Sequence, residues 1–166
     1  MKYFTSVIVV FSFINLSLKN IKNDQSFKRK LIYLTLVLYL TLLFSVTLVP
    51  FRPLYHYMQR GIQFNIALEP YRDIRIGHYN AVLESLSNIL MMVPLGFLLK
   101  AYFNWRSDFV VLIGLLLSFS IEFLQLFDHS RVSDITDIIN NTLGTILGVL
   151  IFYIFRKIYL KRGQRT

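Results

Sequence analysis

The sequence predicts an all-α fold: a polytopic transmembrane helical bundle with four core helices and a fifth near the N-terminus. Three observations predict it. Of 166 residues, 55% are hydrophobic and only 16% charged, and the mean hydropathy is +0.53, a balance poorly matched to a water-soluble core of this size. Uncharged runs recur near the length that a hydrocarbon layer of about 30 Å asks of a helix, roughly 20 residues. Lysines and arginines flank those runs instead of lining one groove or helix stripe.

The first run, Tyr3 to Leu18, is the shortest. Lys2 ahead of it would suit a signal peptide, but one lysine makes a thin n-region and no small-x-small cleavage site follows. The basic cluster Lys19, Lys22, Lys28, Arg29, Lys30 also lies behind the run. A retained helix is expected, so residues 1–30 comprise that helix and a basic cytoplasmic loop, and 31–166 the main transmembrane domain.

The first core run is Leu31 to Val49. A connection over about 50–82 follows, holding Tyr55, His56, Tyr57, the segment "NIALEPYRDI" and three of the four prolines. A loop of that length is usually functional or disordered, and its tyrosines suit a membrane interface. The second core run, Leu83 to Leu99, contains Pro94, which frees a backbone carbonyl and is expected to kink the helix. The third, Phe109 to Ile121 with a continuation to Phe127, leads through the short turn "DHSRVSD" to the last, Ile138 to Phe155.

With five helices and the N-terminus outside, the cytoplasmic segments hold Lys19 to Lys30, then Lys100 and Arg106, then Arg156, Lys157, Lys161, Arg162 and Arg165. Lys2, Arg52, Arg60, Arg72, Arg75 and Arg131 remain outside. This is the positive-inside pattern of a multi-pass protein of the inner (cytoplasmic) membrane with a cytoplasmic C-terminus. The net charge of +9 is then explained by orientation and contact with anionic lipid, and nucleic-acid binding is not expected. The absence of cysteine excludes disulfides and thiolate metal ligation.

Polar residues inside the runs need a reason, because a carboxylate at the bilayer centre costs about 2.5–3.5 kcal/mol on insertion scales. At about 100° per residue, Ser118, Glu122, Gln125 and His129 fall within an arc of about 60°, and Asp134, Asp137, Asn141, Gly144 and Gly148 within about 80°. Glu84, Asn88 and Gly96 share a face of the second core run. At about 1.5 Å per residue, Asn88, Glu122 and Asn141 each lie roughly 7–10 Å below the outer ends of their helices. Three helices are therefore expected to present polar groups at one level, in a pocket that opens outward.

Plainer roles account for some of these residues. Asp134 suits an N-cap and Asp137 a first-turn acid. Asn88 and Asn141 can bond across helices, and the glycines, spaced by four, allow close packing. Arg131 can anchor at the interface, pair with Glu122, or hold an anionic headgroup. Glu122, Asp134 and Asp137 are the candidate general acids or bases, since a carboxyl held out of water suits proton transfer. Arg131, Asn88, Gln125 and Asn141 are the candidate substrate-binding residues. His129 with scattered carboxylates has low specificity for any metal, so no metal site and no cofactor are expected. There is no HExxH motif, no serine elbow and no Gly-rich phosphate loop.

In chain order, "NILMMVPLGFLL", "EFLQ" and "RVSDITDIINNTLGTILG" resemble the VanZ-like family of small bacterial membrane proteins, whose pattern is similar to N-x3-F-x-P-x-G, E-x2-Q and D-x2-D-x3-N-T-x-G-x3-G. The segment "NIALEPYRDI" resembles the Asn and Pro segment ahead of that core. The resemblance spans roughly residues 65–152 and points to Asn88, Pro94, Gly96, Glu122, Gln125, Arg131, Asp134, Asp137, Asn141, Thr142, Gly144 and Gly148. Met92 stands where a phenylalanine is common. The family's named member is associated with resistance to the glycopeptide teicoplanin, which acts on peptidoglycan precursors at the outer face, so the resemblance implies an envelope role.

The expected function is engagement of an envelope lipid or lipid-linked precursor by the outward pocket, with membrane lipids as partners. The alternatives are a hydrolase or transferase acting on lipid phosphates and a non-catalytic subunit of a membrane complex. With His56→Cys or Ser130→Cys, an impermeant thiol reagent applied to intact cells is expected to label the protein. Labelling from the cytoplasm alone would invert the orientation.

Overall fold

A computed structural model describes residues 25–48, 65–128 and 131–163. The run Tyr3 to Leu18, the first part of the long connection and His129 lie outside the described residues. Those described form helices α1 (Gln25–Leu48), α2 (Arg72–Arg75), α3 (Ala81–Phe103), α4 (Ser107–Gln125) and α5 (Ile135–Gly163), with two-residue strands β1 (Ile66–Ala67) and β2 (Ser133–Asp134). The fold is all-α.

Among the described residues, four stretches are long and apolar enough to cross a membrane, Phe27–Leu48, Ala81–Phe103, Ser107–Gln125 and Ile135–Tyr159. The chain is a multi-pass membrane protein. Large apolar side chains such as Leu34, Leu86, Phe119 and Leu150 are exposed on the outside of the bundle, which would be costly in water and is ordinary in lipid. The helices overrun the apolar stretches by a few residues where polar side chains support their ends. α3 takes in Glu84 in its first turn, and α5 begins directly after Asp134. α4 instead stops at Gln125, short of Phe127, because the chain turns there: Phe127 N–H donates to Leu124 O at 3.2 Å and Asp128 N–H to Gln125 O at 2.9 Å.

Lipid tails are as apolar as leucine, so helix association rests on close packing and interhelical hydrogen bonds instead of hydrophobic expulsion. The most extensive contact is between α3 and α5. These two run parallel, and their backbones touch. A Cβ on Gly144 would collide with the Ile89 carbonyl, on Gly148 with the Val93 carbonyl, and on Gly96 with the Thr145 carbonyl. α4 returns antiparallel beside them, and Gly114 makes room for the Thr145 side chain. Thr145 is fully buried at this three-helix junction, its hydroxyl donating to Asn141 O at 3.0 Å.

Met92, Leu95, Leu98, Val110, Ile121 and Val149 fill the core around the seam. Pro94 is buried within α3 without ending it. α1 closes the bundle: Leu36 and Leu43 join the core, Tyr39 OH donates to Met91 O at 2.8 Å, and Gln125 Nε2 donates to Thr47 O at 3.1 Å. At the end where α3 meets α4, Asn104 adopts a left-handed φ of 52°, a conformation asparagine tolerates at helix C-termini. Lys100 is buried there, donates to Trp105 O and lies 5.3 Å from the Tyr153 ring centroid.

Gly148→Ala should therefore strain the α3–α5 seam, since the Val93 carbonyl it meets belongs to a helix backbone and cannot swing aside. Thermal unfolding of the purified protein should show a loss of about 1–3 kcal/mol, the range for overpacking. Leu150→Ala, on the exposed surface of the same helix, should change stability far less.

Candidate functional site

At one end of the bundle α3 begins, α4 ends and α5 begins, and residues 65–80 lie across them. Because α3 and α5 are parallel, two helix N-termini meet at this end. Each carries an acid in its first turn, Glu84 on α3 and Asp137 on α5, where the helix dipole favours negative charge.

The entry to α5 is built around Asp134. Its carboxylate accepts the Thr136 N–H at 2.7 Å, so it is the expected N-cap. Its own N–H donates to Glu122 Oε2 at 2.9 Å, and the Ser133 hydroxyl bonds the same carboxyl group. Glu122, only 3% exposed, thus joins the end of α4 to the start of α5 through a backbone donor. The 65–67 segment lies against the same place: β1 pairs in parallel with β2, matching Ile66 to Ser133 and Ala67 to Asp134, and Ser133 N–H donates to Asn65 O at 3.0 Å.

Below this entry the α3–α4–α5 seam carries two further polar layers. Asn88 Nδ2 donates to Asp137 Oδ1 at 2.5 Å. Glu122, Asp134 and Glu84 all lie close enough to Asp137 or to one another to interact electrostatically. One helical turn further in, at i+4 from Asp137 and i−4 from Glu122, Asn141 Nδ2 donates to Ser118 Oγ at 2.9 Å. The polar groups of the three helices are therefore staggered, with Asn141 a turn deeper than Glu122.

The other candidates are spent elsewhere. Gln125 faces α1, bonded to Thr47 O. Arg131 lies 3.8 Å from the carboxylate of buried Asp128, so its ionic partner is Asp128 and not Glu122. It remains 28% exposed; Arg72 and Arg75, also exposed, pair with Glu69. Among the described residues no three of His, Asp and Glu are placed to hold a metal ion.

Residues that the sequence did not single out complete the site. Tyr71, with a left-handed φ of 55°, donates its N–H to Thr136 Oγ1 at 3.1 Å and its OH to Asn140 Oδ1 at 3.2 Å. Thr136 and Asn140 stand four apart on α5, a spacing that could have flagged them; nothing local connects Tyr71 to them. Asn140 and Asn141 are both buried, and each leaves one amide atom without a partner, Asn140 Nδ2 and Asn141 Oδ1.

The family model described as VanZ/LLP1 matches residues 4–156 of the chain. No curated protein matches the chain, and no solved structure does.

Tyr71→Phe removes the hydroxyl that donates to buried Asn140 Oδ1 while keeping the ring. Leaving a buried polar group unmet costs about 1–3 kcal/mol, and the loss should fall on the docking of residues 65–71. Hydrogen exchange at the Ser133 amide is expected to quicken, with amides at the Gly96–Gly148 contact unchanged.

Proposed function

The chain belongs to the VanZ/LLP1 family, and from that premise we propose that it is an envelope protein of the bacterial inner membrane. Its polar end faces outward and engages an envelope lipid or a lipid-linked peptidoglycan precursor, with an effect on susceptibility to glycopeptides such as teicoplanin. The observation that carries this reading is Glu122. It is a buried carboxyl on a membrane-spanning helix, bonded to the Asp134 N–H and set among Asp134, Asp137 and Asn88. A purely structural fastening of α4 to α5 would not call for so many acids at a depth where each is expensive.

In this reading the acids and Asn141 form the inner wall, while Arg131 at the rim takes an anionic group of the headgroup. Arg131 is suited to that exchange. Its contact with Asp128 is long at 3.8 Å, and a guanidinium can add a phosphate on its free edge. Gln125 and Asn88 position their helices: Gln125 holds α1 to α4, and Asn88 holds Asp137.

A second reading makes the site a hydrolase or transferase for lipid phosphates, and one observation favours it. Glu122 and Asp137 are two carboxyls from different helices within electrostatic reach of each other, an arrangement that can divide acid and base roles between them. Turnover of labelled envelope lipids by the purified protein, abolished by Glu122→Gln, would identify an enzyme.

Glu122→Gln, Asp137→Ala and Arg131→Ala, each at verified equal expression, should all shift glycopeptide susceptibility and the lipid profile of the cell. For Glu122→Gln the loss of a charged hydrogen bond, about 1.5–3 kcal/mol, corresponds to roughly tenfold or more in affinity. Unchanged susceptibility and lipid profile in all three would sink the pocket.

A further inference from the structure

We infer that a groove at the α3–α4 turn, at the end of the bundle away from the polar site, binds an anionic phospholipid of the surrounding leaflet. Trp105, Arg106, Asp108, Phe109 and Leu112 line this groove, whose volume is about 480 Å³. The inference stands apart from the reading of the polar end and uses none of its residues. Its first support is the shape of the groove. Trp105 stacks on Phe103 with ring centroids 4.0 Å apart and meets the edge of Phe109 at 5.1 Å. Lys100, buried behind the turn, donates to the Trp105 carbonyl. A ring on either side and the backbone bond fix the indole, so the groove is formed before anything enters it and little ordering of its walls opposes binding.

The second support is where the groove leads. Exposed Phe109, Leu112, Leu116, Phe119 and Phe123 follow one another on α4 at intervals of three and four, which puts them on one face of the helix. From Phe109 to Phe119 the helix rises roughly 15 Å, half of a hydrocarbon core of about 30 Å. An acyl chain can therefore follow this face to the middle of the bilayer from a headgroup seated in the groove. A soluble anion would leave the whole face unused.

The third support is charge. Lys28, Arg29 and Lys30 of α1 and Arg156 with Lys157 of α5 gather at the same end as Lys100 and Arg106, and Asp108 is the only acid there among the described residues. Arg106 engages Asp108 through Nε at 3.2 Å and Nη2 at 2.8 Å, which leaves Nη1 to donate to an incoming oxygen. The side chains of this pair are 86% and 65% exposed, so the pair is weak and a phosphate can share the guanidinium. Among the described residues no carboxylate lies within ion-pair distance of Lys100, so its charge adds to the attraction. An anionic phospholipid matches each part: its phosphate meets Arg106, its interfacial region the Trp105 ring, and its chain Phe109 and Leu112. A zwitterionic lipid offers the same chain but no net charge.

Trp105 is the chain's only tryptophan, so its fluorescence reports on the groove directly. Full-length protein is reconstituted in phosphatidylcholine vesicles with increasing fractions of phosphatidylglycerol or phosphatidylcholine brominated on the acyl chain near the headgroup. Quenching by the brominated phosphatidylglycerol is expected to saturate, with a relative affinity about fivefold that of the choline lipid, the scale of one basic residue near an anionic surface. Arg106→Gln should erase the difference, and Asp108→Asn, which releases Arg106, should enlarge it. Arg156→Gln removes the same charge from an exposed position on α5 at the same end and should leave most of the preference in place. Excess glycerol phosphate should not relieve the quenching. Equal quenching by the two lipids, or quenching by neither, would overturn the inference. So would a preference that Arg156→Gln lowers as far as Arg106→Gln does, since the field of the whole end would then account for it. Relief by glycerol phosphate would overturn it as well, because the groove would then hold a free anion. The wild-type comparison of the two lipids decides the matter even if a variant fails to fold, and no outcome bears on the polar end.

Discussion

The polar end depends on how closely α3 and α5 approach each other. Three glycines let the two backbones touch, and the approach fixes the distance between everything the helices carry above it. Asn88 reaches Asp137 because the main chains beneath them are in contact. The same parallel pairing brings two helix N-termini to one face, which makes first-turn acids at that face favourable on electrostatic grounds. A single methyl group at Gly144 or Gly148 would act on a backbone carbonyl and hence on the whole seam.

α4 contributes a different kind of constraint. It runs against α5, so successive turns meet in reverse order: Gly114 with Thr145, Ser118 with Asn141, Glu122 with Asp134. The first contact is steric, the second a neutral hydrogen bond, and the third a carboxylate on a backbone N–H. Polarity rises steadily toward the end of the helix, as the falling cost of charge toward a membrane interface would require. Glu122 sits at the top of this gradient and takes part in the N-terminal structure of a helix it does not belong to.

Most of the fold was legible in the sequence because membrane spans are written in long apolar runs, which need no knowledge of partners. Their ends were less so: α4 stops at Gln125 while apolar residues continue, since a turn is decided by hydrogen bonds and not by hydropathy. Within the site, helical spacing correctly grouped Glu122 with Ser118 and Asp137 with Asn141. It could not say which group each would meet. Charge alone suggested Glu122 with Arg131, whereas Arg131 turns back to Asp128, three residues away, and Glu122 takes the Asp134 N–H. Tyr71 was out of reach of any periodic argument, being separated from Asn140 by a connection and two spans.

Charge is divided unevenly between the two ends of the bundle. Lys28, Arg29, Lys30, Lys100, Arg106, Arg156 and Lys157 all belong to the end of the bundle opposite the site. Acids do little to set orientation, so topology does not explain why Glu69, Asp73, Glu84, Glu122, Asp128, Asp134 and Asp137 collect at the other end of a chain whose net charge is +9. Glu69 and Asp128 are accounted for by neighbouring arginines, and Asp134 by the helix it caps. Glu122 and Asp137 are left as the acids whose burial no cation within the described residues explains. What holds each in place is the donor it accepts from, the Asp134 N–H for Glu122 and the Asn88 amide for Asp137.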